Sequence, residues 1–217
     1  MEFDVGFARE ILPDLMRGAV VTIEATLGGF CVALVGGLIL AIGRRSHHRL
    51  FTGLCSGFIE FARNTPLLVQ LYFAFYGLPL FGIAVSAMTT GILGLGVYYS
   101  AYISEVYRAG IDAVPRGQWE AARSLDLPLA DTWRGIILPQ AIPPMLPVLG
   151  NYLISMFKDT PLLATITIPE MFNAAEQIAG TTYRYNEPYT LLALIFLAMS
   201  YPSSLLFRQL EKRVPRV

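Results

Sequence analysis

The sequence predicts an all-α protein embedded in a membrane, with about five spanning helices and a helical loop on the cytoplasmic side. Three observations predict it. The 217 residues are 54% hydrophobic with a mean hydropathy of +0.53, and a soluble domain could not cover so apolar a chain with polar surface. Apolar runs near the roughly 20 residues of a membrane-crossing helix recur along the chain. The 16 Lys and Arg residues are distributed unevenly among the connections between those runs.

The first expected span runs from Ala19 to Ile42, with Glu24 as its only charge. The second, Phe51 to Tyr76, carries a polar break from Glu60 to Pro66, where proline frees a backbone carbonyl one turn earlier. The third, Ala84 to Val106, is rich in small residues (Gly91, Gly94, Gly96, Ser100, Ala101) that let helices approach closely in lipid. The fourth, Pro143 to Phe157, is short and punctuated by proline; the fifth runs from Tyr189 to Phe207. No repeat, low-complexity tract or linker divides them, so residues 1–217 read as one domain.

Orientation follows from the cations, which collect on cytoplasmic connections. Arg44, Arg45, Arg49, Arg108, Arg116, Arg123, Arg134, Arg208, Lys212, Arg213 and Arg216 fall on one side. Arg9, Arg17 and Arg184 fall on the other, and Arg63 and Lys158 lie at or near membrane depth. The amino terminus is therefore expected outside and the carboxyl terminus in the cytoplasm. Glu2 and Asp4 stand where a signal peptide would carry basic residues, so none is expected. Residues 160–188 then lie on the outer side. Pro161–Ile168 is apolar but too short to cross, and is expected to dip into the membrane against the other helices.

Several classes of function are excluded or left without support. Zero net charge gives no nucleic-acid footprint. Cys31 and Cys55 sit inside apolar runs as small hydrophobes, and His47 and His48 in a basic turn, so no metal site is expected. The glycines of Gly91-Ile-Leu-Gly-Leu-Gly lie in a span without the lysine of a phosphate-binding loop. No nucleophile–base pattern appears. No catalytic residue and no cofactor is assigned to this chain.

Between the third and fourth spans, Pro115 suits a first helical turn and Arg116–Leu125 contains good helix formers. Trp119, Ala122 and Leu125 can share an apolar side, while Arg116, Glu120 and Arg123 can pair at helical spacing. Composition alone also allows a helix lying flat at the lipid headgroups. Glu120-Ala121-Ala122, followed by Ile136, Leu138 and Pro139, resembles the EAA loop of ABC-importer permeases. The resemblance implies the type I ABC-importer transmembrane fold. It makes residues 108–139 a coupling loop that docks on the ATPase subunit, with Gly117, Glu120, Ala121, Ala122, Asp126, Ile136, Leu138 and Pro139 as coupling residues. Asp126 replaces the family's usual glycine, and aspartate tolerates the left-handed turn better than most side chains.

The resemblance extends over nearly the whole chain. Arg63-Asn-Thr-Pro-Leu-Leu-Val-Gln-Leu-Tyr-Phe and Lys158-Asp-Thr-Pro-Leu-Leu-Ala are similar to the polar amino acid (histidine/glutamine permease-like) branch. Ser124-Leu-Asp-Leu-Pro, Gly94-Leu-Gly-Val-Tyr-Tyr-Ser and Tyr183-Arg-Tyr-Asn-Glu-Pro resemble the ectoine/hydroxyectoine uptake permeases within it. What this implies is a multi-pass permease of the bacterial cytoplasmic membrane that moves a small zwitterion by alternating access. Ectoine is the first expectation for the solute and a polar amino acid the alternative. Expected partners are a dimer of ATPase subunits, which bind ATP and Mg, a second identical or related permease, an extracytoplasmic solute-binding protein and membrane lipid. An ion-driven secondary transporter would usually carry paired repeats, which are absent; a membrane scaffold would not need charges at depth.

Ionisable groups in a membrane cost about 2.5–3.5 kcal/mol each at a helix centre, so those present ask for a reason. Glu60, Arg63, Asn64, Thr65, Gln70, Lys158, Asp159 and Thr160 are the candidate solute pathway. In one reading Glu60 and Arg63, three apart, neutralise each other and pin two helices. In the other they line the passage, with Arg63 or Lys158 taking a carboxylate and Glu60 or Asp159 a cation. Glu24 is expected at the outer mouth with Arg17 snorkelling beside it. The aromatic residues at Tyr72–Tyr76 and Tyr98–Tyr102 are either core and belt residues or a stacking surface for a cation.

Overall fold

The computed structural model describes residues 3–213, all helices and connections with no strand among them. Helix α1 runs unbroken from Val5 to Gly43, about 58 Å at 1.5 Å per residue and so well beyond the roughly 30 Å of hydrocarbon. It starts long before the apolar run at Ala19. Asp4 caps it, its Oδ1 accepting from the Phe7 N–H at 3.1 Å. Ile11, Leu15 and Ala19, at helical spacing, then bury against Met171, Ala175 and Leu192. That tertiary stripe, rather than hydropathy, makes the first turns helical.

Helix α2 (Arg49–Asn64) folds back along α1, with Ile59 and Ala62 buried near Leu40 and Ala101. The expected second span is not one helix. Thr65 and Pro66 are extended, and the chain resumes as α3 (Leu67–Tyr72), a π-helical turn (Phe73–Gly77) and a 3-10 turn (Leu78–Phe81) ending at Gly82 with φ +81°. Helix α4 (Ala87–Asp112) lies against α1 along most of its length. Small residues make that approach possible: a Cβ on Gly37 would stand 2.7 Å from Ile103, and one on Gly96 only 2.5 Å from Val32.

Next come α5 (Arg116–Ser124), the single turn α6 (Leu129–Asp131) and a π-helical segment (Thr132–Ile137) that runs directly into α7 (Leu138–Asp159). Residues 160–188 contain a 3-10 helix (Thr160–Ile166) and α8 (Met171–Thr182), and α9 (Asn186–Arg213) follows. Leu163, Ile166 and Ile168 are buried in the main core with Leu71, Leu95, Tyr99 and Met156. Glu170 is also buried and caps α8, its oxygens accepting from the Phe172 and Asn173 N–H groups at 2.8 and 2.7 Å.

Val5–Gly43 and Asn186–Leu205 are each apolar and long enough to cross a membrane. Helix α4 sits between neighbours and dilutes its apolar residues with Gly, Ser, Thr and Tyr. Val20, Leu27, Val35 and Leu38 on α1 and Leu194 and Leu197 on α9 point outward, where lipid tails would cover them.

Candidate functional site

The loop helix α5 is anchored on one side only. Trp119 packs edge-to-face on Trp133, ring centroids 5.3 Å apart at 82°. Both join a cluster with Val106, Val114, Ile137, Ala141 and Met145, and Ala122 is buried beside them. Leu125 does not complete that apolar side as expected. It is the C-cap residue and 71% exposed, because the helix ends before it can turn inward. Nor does an ion pair join Arg116, Glu120 and Arg123 among the described residues; Gly117, Glu120 and Ala121 all face outward. Ile136 and Leu138 are half-buried and Pro139 is exposed.

The end of α5 is a Schellman turn. The Leu127 N–H donates to the Ala122 carbonyl and the Asp126 N–H to that of Arg123, both at 3.1 Å. Asp126 holds the left-handed position at φ +49°. The result is a capped helix whose exposed Glu120, Arg116 and Arg123 lie near the exposed Leu125 that ends it. Such a surface suits docking into a groove of another protein.

Of the two readings of Glu60 and Arg63, the one in which they pair with each other is not what the structure shows. Arg63 instead lies 3.9 Å from Glu105 on α4, with its guanidinium over the Tyr102 ring, 5.7 Å from the centroid. Glu60 faces outward and accepts from the Asn64 side chain at 3.1 Å. Glu105 is a hub that sequence reasoning left without a role: Arg44 from α1 and Arg108 (2.8 Å) from its own helix also pair with it. Arg45 and Arg108 close the same cluster on Asp112. The only local sign was Arg108 one turn beyond Glu105; Arg44 and Arg63 come from other helices.

Gln70 braces the break before α3. Its amide donates to the Ala62 carbonyl, left without a donor by Pro66, at 3.1 Å, and to that of Thr65 at 3.2 Å. Thr160 is likewise committed, its hydroxyl donating to the Phe157 carbonyl at 2.7 Å. Lys158 is exposed and has no ion-pair partner among the described residues. Asp159 accepts from the Tyr99 hydroxyl at 2.7 Å. Arg17 pairs with Asp14 at 2.7 Å instead of reaching Glu24, which is exposed on α1.

Between Arg63 and Asp159 stands a wall of four tyrosines. Tyr98, Tyr99 and Tyr102 from α4 meet Tyr152 from α7, with centroids 5.2–6.2 Å apart. The Tyr98 and Tyr102 hydroxyls are 3.1 Å apart. Hydroxyls at membrane depth are tolerated where they meet partners or a hydrated space. Tyr152 was not foreseen, since nothing local in sequence ties it to α4. Tyr72 and Tyr76 stack on each other, and the Tyr76 hydroxyl donates to the Thr165 carbonyl at 3.1 Å, which ties the π-helical turn after α3 to the 160–166 segment. Thr65 and Gln70 also border an almost wholly apolar groove of about 520 Å³ between α2–α3 and α4, with Phe61, Phe73, Leu93 and Val97.

The pattern of a family described as "Binding-protein-dependent transport system inner membrane component" matches residues 33–216. The chain is 47% identical over 213 residues to the "Probable amino-acid ABC transporter permease protein y4tG" of Sinorhizobium fredii, covering 98% of this chain and 92% of that one. It is 36% identical over 211 residues to the "Probable amino-acid ABC transporter permease protein YckA" of Bacillus subtilis, covering 97% and 93%. Among solved structures, one described as an amino acid ABC transporter with histidines superposes with a TM-score of 0.91 at 37% identity, over 98% of this chain and 100% of the other.

Proposed function

The chain belongs to the family of binding-protein-dependent transport system inner membrane components, and from that premise we propose that it carries a polar amino acid into the cell. It is the permease subunit of an ABC importer, a multi-pass protein of the inner membrane, and ATP is hydrolysed by a separate subunit. The observation that carries the solute class is the likeness, over nearly the full length, to permeases named for amino acids. The ectoine reading rested on short segments such as Tyr183-Arg-Tyr-Asn-Glu-Pro and finds no counterpart among those names.

The working unit we infer holds two permease chains, two ATPase subunits and an extracytoplasmic solute-binding protein. The arginine-rich end with α5 lies in the cytoplasm, where α5 seats in the ATPase. Closure of the ATPases on ATP pushes α5, and the Trp119–Trp133 contact passes that displacement to the π-helical segment and α7. Asp159 at the far end of α7 and Arg63 on α2 then exchange their exposure between the two sides. In this scheme the solute's carboxylate meets Arg63 or Lys158 and its ammonium meets Asp159 beside the tyrosine wall. Such a cycle needs contacts that differ between its two states.

The test is uptake into proteoliposomes that contain the permease, its ATPase and its binding protein. Vanadate-sensitive uptake of a labelled polar amino acid, poorly competed by ectoine, supports the reading. Uptake of ectoine that amino acids do not reduce would replace the solute, and uptake without ATP would overturn the importer itself.

A further inference from the structure

We propose that the turn Tyr183–Tyr185 is the docking element for the extracytoplasmic solute-binding protein, an inference that rests on the orientation given above. The turn joins α8 to α9 and is tied to the first residues of α1. It is thus at the opposite end of α1 from Arg44 and the Glu105 cluster, about 58 Å away. A family named for its dependence on a binding protein needs a contact at that end.

Tyr183 is the unusual residue. It ends α8 with φ +56°, in the left-handed region. Glycine or asparagine fills that position at a helix end with little strain, whereas a bulky side chain does so at a cost to stability. Its ring recovers little by packing, being 77% exposed. Strain kept at an exposed position points to something outside the chain. A tyrosine of the membrane-interface belt would need no left-handed backbone.

The turn is also held rigid. The Arg184 guanidinium donates to Asp4 at 3.0 Å and covers the Phe7 ring at 4.7 Å. The Asp4 N–H donates to the buried Glu187 carboxylate at 3.0 Å, and the Thr182 hydroxyl accepts from the Arg184 N–H at 3.3 Å. Tyr185 stacks near-parallel on Tyr189 yet remains 54% exposed. Two projecting aromatic rings on a braced turn are the kind of anchor that dominates protein–protein contacts, since little order is lost when they are buried. The bound partner is a folded protein with pockets for both rings.

The experiment titrates solute-loaded binding protein against the complete complex in nanodiscs and reads the concentration that half-maximally stimulates ATP hydrolysis. Tyr183→Gly removes the ring and relieves the backbone. It should raise that concentration at least tenfold while leaving the unfolding temperature equal or higher. Tyr183→Asn, which also accepts the left-handed backbone, should do the same; Tyr183→Phe should stay near the wild type. An unchanged half-maximal concentration in Tyr183→Gly combined with Tyr185→Ala would overturn the proposal. Dissociation of the permease pair in those variants would also overturn it, and would assign the turn to a contact between permease chains. If the wild-type complex is not stimulated at all, the importer reading falls and this one with it.

Discussion

Arg63 lies 3.9 Å from Glu105, a carboxylate on a different helix, and not against Glu60 one turn earlier on its own. Glu105 already holds Arg44 and Arg108, so Arg63 is its loosest partner. That geometry fastens α1, α2 and α4 at one end of the bundle and leaves Arg63 able to face another carboxylate.

The two carboxylates should therefore behave differently. Glu105→Gln leaves three guanidinium groups facing a neutral amide and should destabilise the protein by about 2 kcal/mol, in the range for charged hydrogen bonds. Glu60→Gln, exposed and bonded only to Asn64, should stay within about 0.5 kcal/mol. Thermal unfolding of both variants in detergent measures the difference; equal losses would remove Glu105 from its central place.

Gln70 satisfies two carbonyls at the break before α3. Gln70→Ala strands both and should cost about 1–3 kcal/mol. Gln70→Met, which fills the space but bonds to neither carbonyl, should not restore the loss. Recovery in Gln70→Met would show that volume, not hydrogen bonding, matters here.

Glu120 is exposed and makes no ion pair among the described residues, so Glu120→Lys should leave the fold within about 0.5 kcal/mol of wild type. If α5 seats in the ATPase as proposed, ATP hydrolysis stimulated by the binding protein should nevertheless fall steeply, because the charge on its exposed face is reversed. Normal stimulation in that variant would place the coupling contact elsewhere.

Close approach of α1 and α4 depends on residues without side chains. Gly96→Val puts its Cβ 2.5 Å from Val32 and should cost about 1–3 kcal/mol by overpacking. Gly53→Ala, inside α2 where a Cβ meets nothing within 4 Å, is the control and should be neutral or stabilising by up to about 1 kcal/mol. A stable Gly96→Val protein that unfolds at the wild-type temperature would contradict the packing.

The clamp at the start of α1 has a defined pH response. The Phe7 N–H and then Arg184 hold the Asp4 carboxyl below the usual range. A carboxyl depressed by folding contributes stability at any pH above its ordinary value, and loses it as pH falls through the depressed one. Amide exchange at Phe7 and Ala8, whose N–H groups bond to Asp4, should thus stay slow from neutral pH down through the ordinary carboxylate range and quicken only in stronger acid. Quickening already at pH 6 would assign the clamp to other groups.

What the sequence determined by itself was whatever depends on composition and near neighbours. Hydropathy named a membrane protein, the break at Pro66 was visible as a polar run, and Arg116–Leu125 read as a helix, which the structure ends one residue earlier at Ser124. The left-handed residue at Asp126 was legible through the resemblance to a loop that usually carries glycine there. Only the tertiary structure decided which groups share a site. Glu105 gathers Arg44 and Arg63 from two other helices, Tyr152 meets Tyr98–Tyr102 from α7, and the first turns of α1 are held by α8 and α9. The physical reason is range. Helical periodicity fixes neighbours three or four residues apart, while partners on separate helices are set by how closely backbones pack, and in this bundle that distance is set by glycines such as Gly37 and Gly96.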